Sequence, residues 1–250
     1  MSGTESDAAL AARLAQAAGA ILLDLRASGR FVGQALGKAG DEAANVLLCR
    51  ELAAARPGDA ILSEEERDNS ARLSQARVWI VDPLDGTREY GEGRSDWAVH
   101  VALAVDGAAA IGAVALPGLG LTLTSGDPPP LPPANDPPKM LVSRTRPAAE
   151  AVFVAERLGA DLLAMGSAGA KAMAVVRGEA DIYLHTGGQY EWDNCAPAAV
   201  ARAAGLHVSR VDGTPLRYNR ADTYLPDLLI CRPELAEAVL RLAGEYKPAA

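Results

Sequence analysis

The stretch Val78-Trp79-Ile80-Val81-Asp82-Pro83-Leu84-Asp85-Gly86-Thr87 decides how the rest of the chain is read. Four apolar residues in a row, three of them β-branched, read as a strand buried on both faces. Asp82-Pro83 then predicts a sharp break, because proline cannot donate to a sheet. Carboxylates just past the end of a buried strand stand where open sheets usually place ligands. Asp82 and Asp85, three apart across a proline-containing turn, can converge on one point, and the carbonyl of Leu84 adds another oxygen. Hard divalent cations take oxygen ligands of this kind. Gly86 lets the backbone approach a phosphate closely, and the amides of Gly86 and Thr87 would face it if a helix begins there. Singly, Asp-Pro and Asp-Gly are ordinary turn dipeptides. The chain holds its own control: Asp212-Gly213-Thr214 repeats the triplet without the paired upstream acid, and reads as a hairpin turn only.

On either side, helical and strand patterns alternate. Residues 7–27 have apolar positions at helical spacing with Asp7 as the expected N-cap, and a second helix is predicted from Gly40-Asp41 to Leu52, ended by Arg56-Pro57-Gly58. Strands are predicted at Ala60–Leu62, Ala98–Val105 and Ile111–Leu116, the last two joined by an Asp106-Gly107 hairpin. Residues 126–138 hold seven prolines, which forbid helix and central strand, so a stiff connection is expected between an N-terminal half, 1–125, and a C-terminal half, 139–250. The second half reads as a strand at Met140–Ser143, helices at Ala148–Leu158 and Ser167–Arg177, and a strand at Asp181–His185. A helix from Asp193 to Ala204, a strand pair around Asp212-Gly213, a strand at Leu228–Cys231 and a helix from Pro233 follow. The fold class is α/β, an α+β layered sandwich in which helices cover sheets.

Composition narrows the function. A formal net charge of −8 disfavours a general nucleic-acid surface, and suggests that divalent cations, more than Lys and Arg, neutralise any phosphorylated substrate. The three scattered cysteines, Cys49, Cys195 and Cys231, suit a reducing compartment better than disulfides or zinc. The first ten residues lack the basic start and apolar run of a signal peptide. No membrane-length apolar run is expected, so the predicted location is cytoplasmic, with no membrane partner.

More acids stand at element ends. Ser63-Glu64-Glu65-Glu66 follows a short apolar strand, where a solvated acidic run is the plain alternative. Trp192-Asp193 and Asp41 are both read as helix starts, where capping alone would account for an aspartate. Ser167 is a natural N-cap at a helix start that could also receive an anion, and Lys171 lies one turn further on. His100 and His207, in apolar strand-like runs, are read as structural.

Together, Leu62-Ser-Glu-Glu65, Asp82-Pro-Leu-Asp-Gly-Thr87 and Trp192-Asp-Asn-Cys-Ala-Pro197 resemble the motifs of the inositol monophosphatase superfamily of lithium-sensitive phosphatases. Residues 166–185, running into the Trp-Asp motif, look like the 3′(2′),5′-bisphosphate nucleotidases of the bacterial CysQ type. The resemblance implies the inositol-monophosphatase and sugar-phosphatase fold of alternating helix and sheet layers. It implies two or three magnesium ions held by Glu64, Asp82, the carbonyl of Leu84, Asp85 and Asp193, with Asp41 and Thr87 activating water. Around the substrate it places Glu64, Leu84, Asp85, Gly86, Thr87 and Asp193, and further out Ser167 and Lys171. His185 stands where some relatives have arginine, with Arg88, Arg144 and Arg146 as other partners for a second phosphate. The implied reaction removes the 3′-phosphate of adenosine 3′,5′-bisphosphate to leave AMP, and extends to its sulfated precursor. Inositol monophosphate or fructose 1,6-bisphosphate are the alternative substrates, and a homodimer is compatible with the pattern. A non-catalytic metal-binding protein of the same fold would have no use for the Asp41–Thr87 pair.

Overall fold

The structure is a computed structural model and describes residues 5–247; the outermost residues of the two expected halves, 1–4 and 248–250, lie outside the described residues. In chain order the elements are α1 (Asp7–Ala27), α2 (Gly33–Ala55), β1 (Ala60–Ser63), β2 (Arg77–Asp85), α3 (Thr87–Gly91), β3 (Ala98–Val105), β4 (Ala108–Leu116) and β5 (Leu121–Thr124). Residues 126–138 then run without helix or strand. There follow β6 (Lys139–Ser143), α4 (Ala149–Leu158), β7 (Asp161–Met165), α5 (Ala168–Val176), β8 (Ile182–His185) and β9 (Gln189–Tyr190). The chain closes with α6 (Glu191–Ala203), β10 (His207–Ser209), β11 (Tyr224–Leu225), β12 (Leu228–Cys231) and α7 (Pro233–Glu245).

Two five-stranded sheets, ordered β1-β2-β3-β4-β5 and β10-β12-β8-β6-β7, are stacked between helices. Period-2 alternation sorts the first sheet's side chains. Trp79, Val81, Val99, Val101 and Leu103 face α1 and α2, while Val78, Ile80, Ala98, Ala102 and Ala104 face α5 and α6. The second sheet sends Leu141, Tyr183 and Ile230 to α5 and α6 from the other side, and Met140, Ile182 and Leu229 to α4 and α7. The result is five layers: helices, sheet, helices, sheet, helices. The two central helices are rich in alanine because sheets press on both of their faces.

Several expectations change. The N-cap of α1 is Ser6, whose hydroxyl accepts from the Ala9 amide, while Asp7 is already helical and pairs with Arg56 and Arg77. Helix α2 begins at Gly33, so Asp41 lies in its interior instead of at its start. Asp193 is the third residue of α6, not its N-cap. The Asp212-Gly213 turn forms, but no strand pair flanks it, because β10 pairs with β12. Short strands β5, β7, β9 and β11 carry too little pattern to be seen in sequence. Contrary to the expectation of no membrane-length apolar run, α1 is long and apolar enough to span a bilayer by composition. Its face of Leu10, Leu14, Ala18 and Leu22 is instead fully buried against α2 and the first sheet.

Candidate active site

The acidic centre is built by a bulge. Asp82 lies opposite His100 on β3, and Asp85 opposite Ala98, so three steps on β2 match two on β3. In a regular strand, side chains three apart point to opposite faces; one extra residue returns Asp85 to the face of Asp82. The expected break at Asp82-Pro83 is therefore this bulge, and the strand runs on to Asp85. Gly86 follows with φ +90, where a Cβ would meet Ser167, Asp96 and Trp97, and one helical turn begins at Thr87.

Asp193 comes from the start of α6, which points at the same place. The Tyr190 amide donates to its Oδ2 at 2.6 Å. Carboxylate oxygens of Asp82, Asp85 and Asp193 all lie within 4.8 Å of one another. Glu64, just past β1, is exposed as a residue, but its carboxyl is turned in against that of Asp82. Leu84 is buried; its amide donates to Asp82 Oδ1 at 3.0 Å, and its carbonyl accepts from Thr87 Oγ1 at 3.0 Å.

Electrostatics show what this cluster can hold. Desolvation first, then the charge of Asp193, pushes the Glu64 carboxyl up to about 7. Burial, then Asp85, lifts Asp193 to about 6. Burial, then Glu64 and Asp85, holds Asp82 well above the usual carboxylate range. Asp85 alone goes the other way. Burial raises it, but His100, Ser167 and the Gly169 amide outweigh that and bring it to about 2. A buried, all-oxygen set of acids that repel one another is matched by hard divalent cations, and magnesium fits it.

Asp41 reaches in from α2 and meets Thr87. Burial, then the charges of Glu65 and Glu64, raises its carboxyl to about 8, against a hydrogen bond with Thr87 that lowers it. Cys195 is fully buried, and burial keeps its thiol far above its ordinary range, which leaves it unsuited to attack.

The outer residues separate. Ser167 caps α5 at φ +53, accepts from the Ala170 amide and donates to Asp85 Oδ2. The Ala168 and Gly169 amides add donors to Asp85 at 3.2 and 2.6 Å. Lys171 is only 5% exposed, and its Nζ donates to the carbonyls of Gly166 and Ser167. It also lines an open cleft of about 590 Å³ with Arg88, Glu89, Ser143, Arg144, Arg146 and Ser167. Arg144 is already paired with Glu89 and Glu92. His185 Nε2 sits 3.1 Å from the Gly188 carbonyl, and burial lowers its pKa, so it holds its own loop and makes a poor phosphate partner. His100, read from the sequence as structural, lies beside this set, with its Nε2 3.3 Å from Asp85 Oδ2; a single polar side chain facing inward in an otherwise apolar strand is the signal that marks it.

The chain belongs to the inositol monophosphatase family: the family's profile matches residues 4–128 and 130–247. It is 50% identical over 260 residues to the 3′-phosphoadenosine 5′-phosphate phosphatase of Mycobacterium leprae (strain TN), covering 96% of this chain and 94% of that one. It is 30% identical over 199 residues to the 3′(2′),5′-bisphosphate nucleotidase CysQ of Escherichia coli (strain K12), covering 75% and 81%. The crystal structure of CysQ from Bacteroides thetaiotaomicron, a bacterial member of the same family, superposes with a TM-score of 0.78 at 25% identity, covering 92% of this chain and 98% of that one.

Proposed function

We propose that the protein is a magnesium-dependent phosphomonoesterase that removes the 3′-phosphate of adenosine 3′,5′-bisphosphate to give AMP, working as a soluble enzyme in the cytoplasm. The observation that carries this reading is the convergence of Asp82, Asp85 and Asp193 next to the Asp41–Thr87 pair. The substrate class rests on the named activities of the M. leprae and E. coli relatives.

Glu64, Asp82, the Leu84 carbonyl, Asp85 and Asp193 would hold two or three magnesium ions. When bound, the ions supply positive charge to the phosphoryl and leaving oxygens and make water more acidic. The chain's own residues do the rest. Thr87 Oγ1 orients the attacking water, and Asp41, beside it, accepts a proton through it. Water attacks phosphorus as the bond to the 3′-oxygen breaks, and the leaving oxygen takes up a proton from solvent. Arg88, Arg146 and Lys171 line the cleft that receives the rest of the nucleotide. The test is a phosphate-release panel with magnesium, comparing adenosine 3′,5′-bisphosphate, inositol 1-phosphate and fructose 1,6-bisphosphate. The bisphosphate nucleotide is expected to have the highest kcat/KM. Preference for either of the others would replace the nucleotide by that substrate, and activity that survives chelation would remove the metals.

A further inference from the structure

His100 is completely buried, on the face of β3 that looks toward α5 and α6. It lies directly across the sheet from Asp82. Its Nδ1 is 3.0 Å from the Trp192 carbonyl, the residue just before Asp193. A carbonyl and an ionised carboxylate both only accept, so the ring that faces the two carries hydrogen on Nδ1 and on Nε2, and Nδ1 anchors it to α6. Its Nε2 then faces Asp85 Oδ2 at 3.3 Å, outside good hydrogen-bond geometry and with no other polar partner among the described residues. Helix α5 makes room for the ring: a Cβ on Gly169 would sit 2.0 Å from Nε2. One imidazole thus bridges β2, which carries Asp82 and Asp85, and α6, which carries Asp193. A buried polar atom is costly to leave unpaired, so a ring aimed this way has a task.

We infer that His100 is a positioning residue for the metal centre, holding Asp85 against α6 so that the carboxylates of Asp85 and Asp193 share one geometry. Its side chain is fully buried. Partners behind a metal ligand fix its orientation, and their loss typically weakens metal binding about 10- to 100-fold. The inference rests on the proposed metal site, and the test separates the two.

Magnesium is titrated into metal-free wild-type protein, His100→Leu and His100→Gln by calorimetry, with no substrate present. The leucine fills similar space without a donor; the glutamine amide still reaches Asp85. Expected is magnesium binding at least about tenfold weaker in His100→Leu and largely recovered in His100→Gln. The magnesium concentration for half-maximal turnover should move in parallel, with the KM for the nucleotide at saturating magnesium unchanged. Should the leucine variant fail to fold, His100→Asn, whose shorter amide falls short of Asp85, takes its place. Unchanged or tighter magnesium binding in His100→Leu, or in His100→Asn where it takes its place, would overturn the inference, as would equal loss in the glutamine variant. Failure of the wild type itself to bind magnesium would instead overturn the metal site.

Discussion

Replacing Asp41 by asparagine should make the metal-free protein more stable and the enzyme much slower. Asp41 is 8% exposed, and its carboxyl is pushed from 3.8 to about 8, chiefly by burial and then by Glu65 and Glu64. Its folded value lies above its unfolded one, so the folded state holds a proton that the unfolded chain has released. The associated stability is complete below about pH 4 and is lost as pH rises to about 8, at up to about 1.4 kcal/mol per unit. Between pH 5 and pH 7 this single carboxyl therefore costs up to roughly 3 kcal/mol. Asparagine keeps the shape but has no proton to lose. Urea unfolding followed by circular dichroism in EDTA should show the variant gaining roughly 1 to 3 kcal/mol on the wild type between pH 5 and pH 7. Saturating magnesium should shrink that gap, because bound cations offset the carboxylate charge. Turnover should fall roughly 100-fold or more, the usual loss when a general base is removed. Parallel stability profiles across that pH range would refute the account of Asp41 as a strained buried acid. Unchanged kcat would remove it from proton transfer.

Asp82→Asn or Asp85→Asn should cut turnover with every substrate by at least about 100-fold while circular dichroism stays native, since each takes charge from the cation site; substantial activity in either variant would sink the two-metal assignment. Thr87→Ala should lower kcat with little change in calorimetric magnesium affinity, whereas Cys195→Ala should leave kcat near wild type; the reverse pattern would mean a covalent cysteine mechanism. Lys171→Met should reduce kcat/KM for the bisphosphate nucleotide about tenfold to a hundredfold and inositol 1-phosphate much less, as expected for one charge-assisted phosphate contact. Equal loss on both substrates would assign Lys171 to holding the Gly166 and Ser167 carbonyls and nothing more. In acid, Asp7 and Asp59 should mark an early loss of stability. Burial raises both, but hydrogen bonds from Arg77, joined by Arg56 at Asp7 and the Trp79 indole at Asp59, outweigh it and leave their values lowered. Their contribution is present above the ordinary carboxylate range and lost as pH falls below it. Arg77→Met should flatten that acid limb in unfolding curves, and an unchanged limb would count against the ion pairs.

The acids that the structure brings together were legible without coordinates because the signals are local. A buried strand ending in two aspartates, a glutamate after a second strand and an aspartate near a helix start each follow from short-range pattern, as do the layered class and the unstructured proline segment. Single residues do not reveal where a side chain points, and tertiary structure settled that. Asp82 and Asp85 share a face only because β3 pairs with β2 through a bulge, a property of two strands together. Asp41 was misplaced at a helix start because Gly33–Gly40 is weak in helix propensity, and contact with Thr87 and the first sheet carries the helix through it. His185 matched by position yet turns to its own loop. His100 looked like one polar residue in an apolar strand, and its meaning came from Asp85 and Trp192, respectively 15 and 92 residues away in the chain. Contacts that distant depend on how two sheets and two central helices close on one another, and that closure is set by packing volume across the whole core, which no local stretch of sequence encodes.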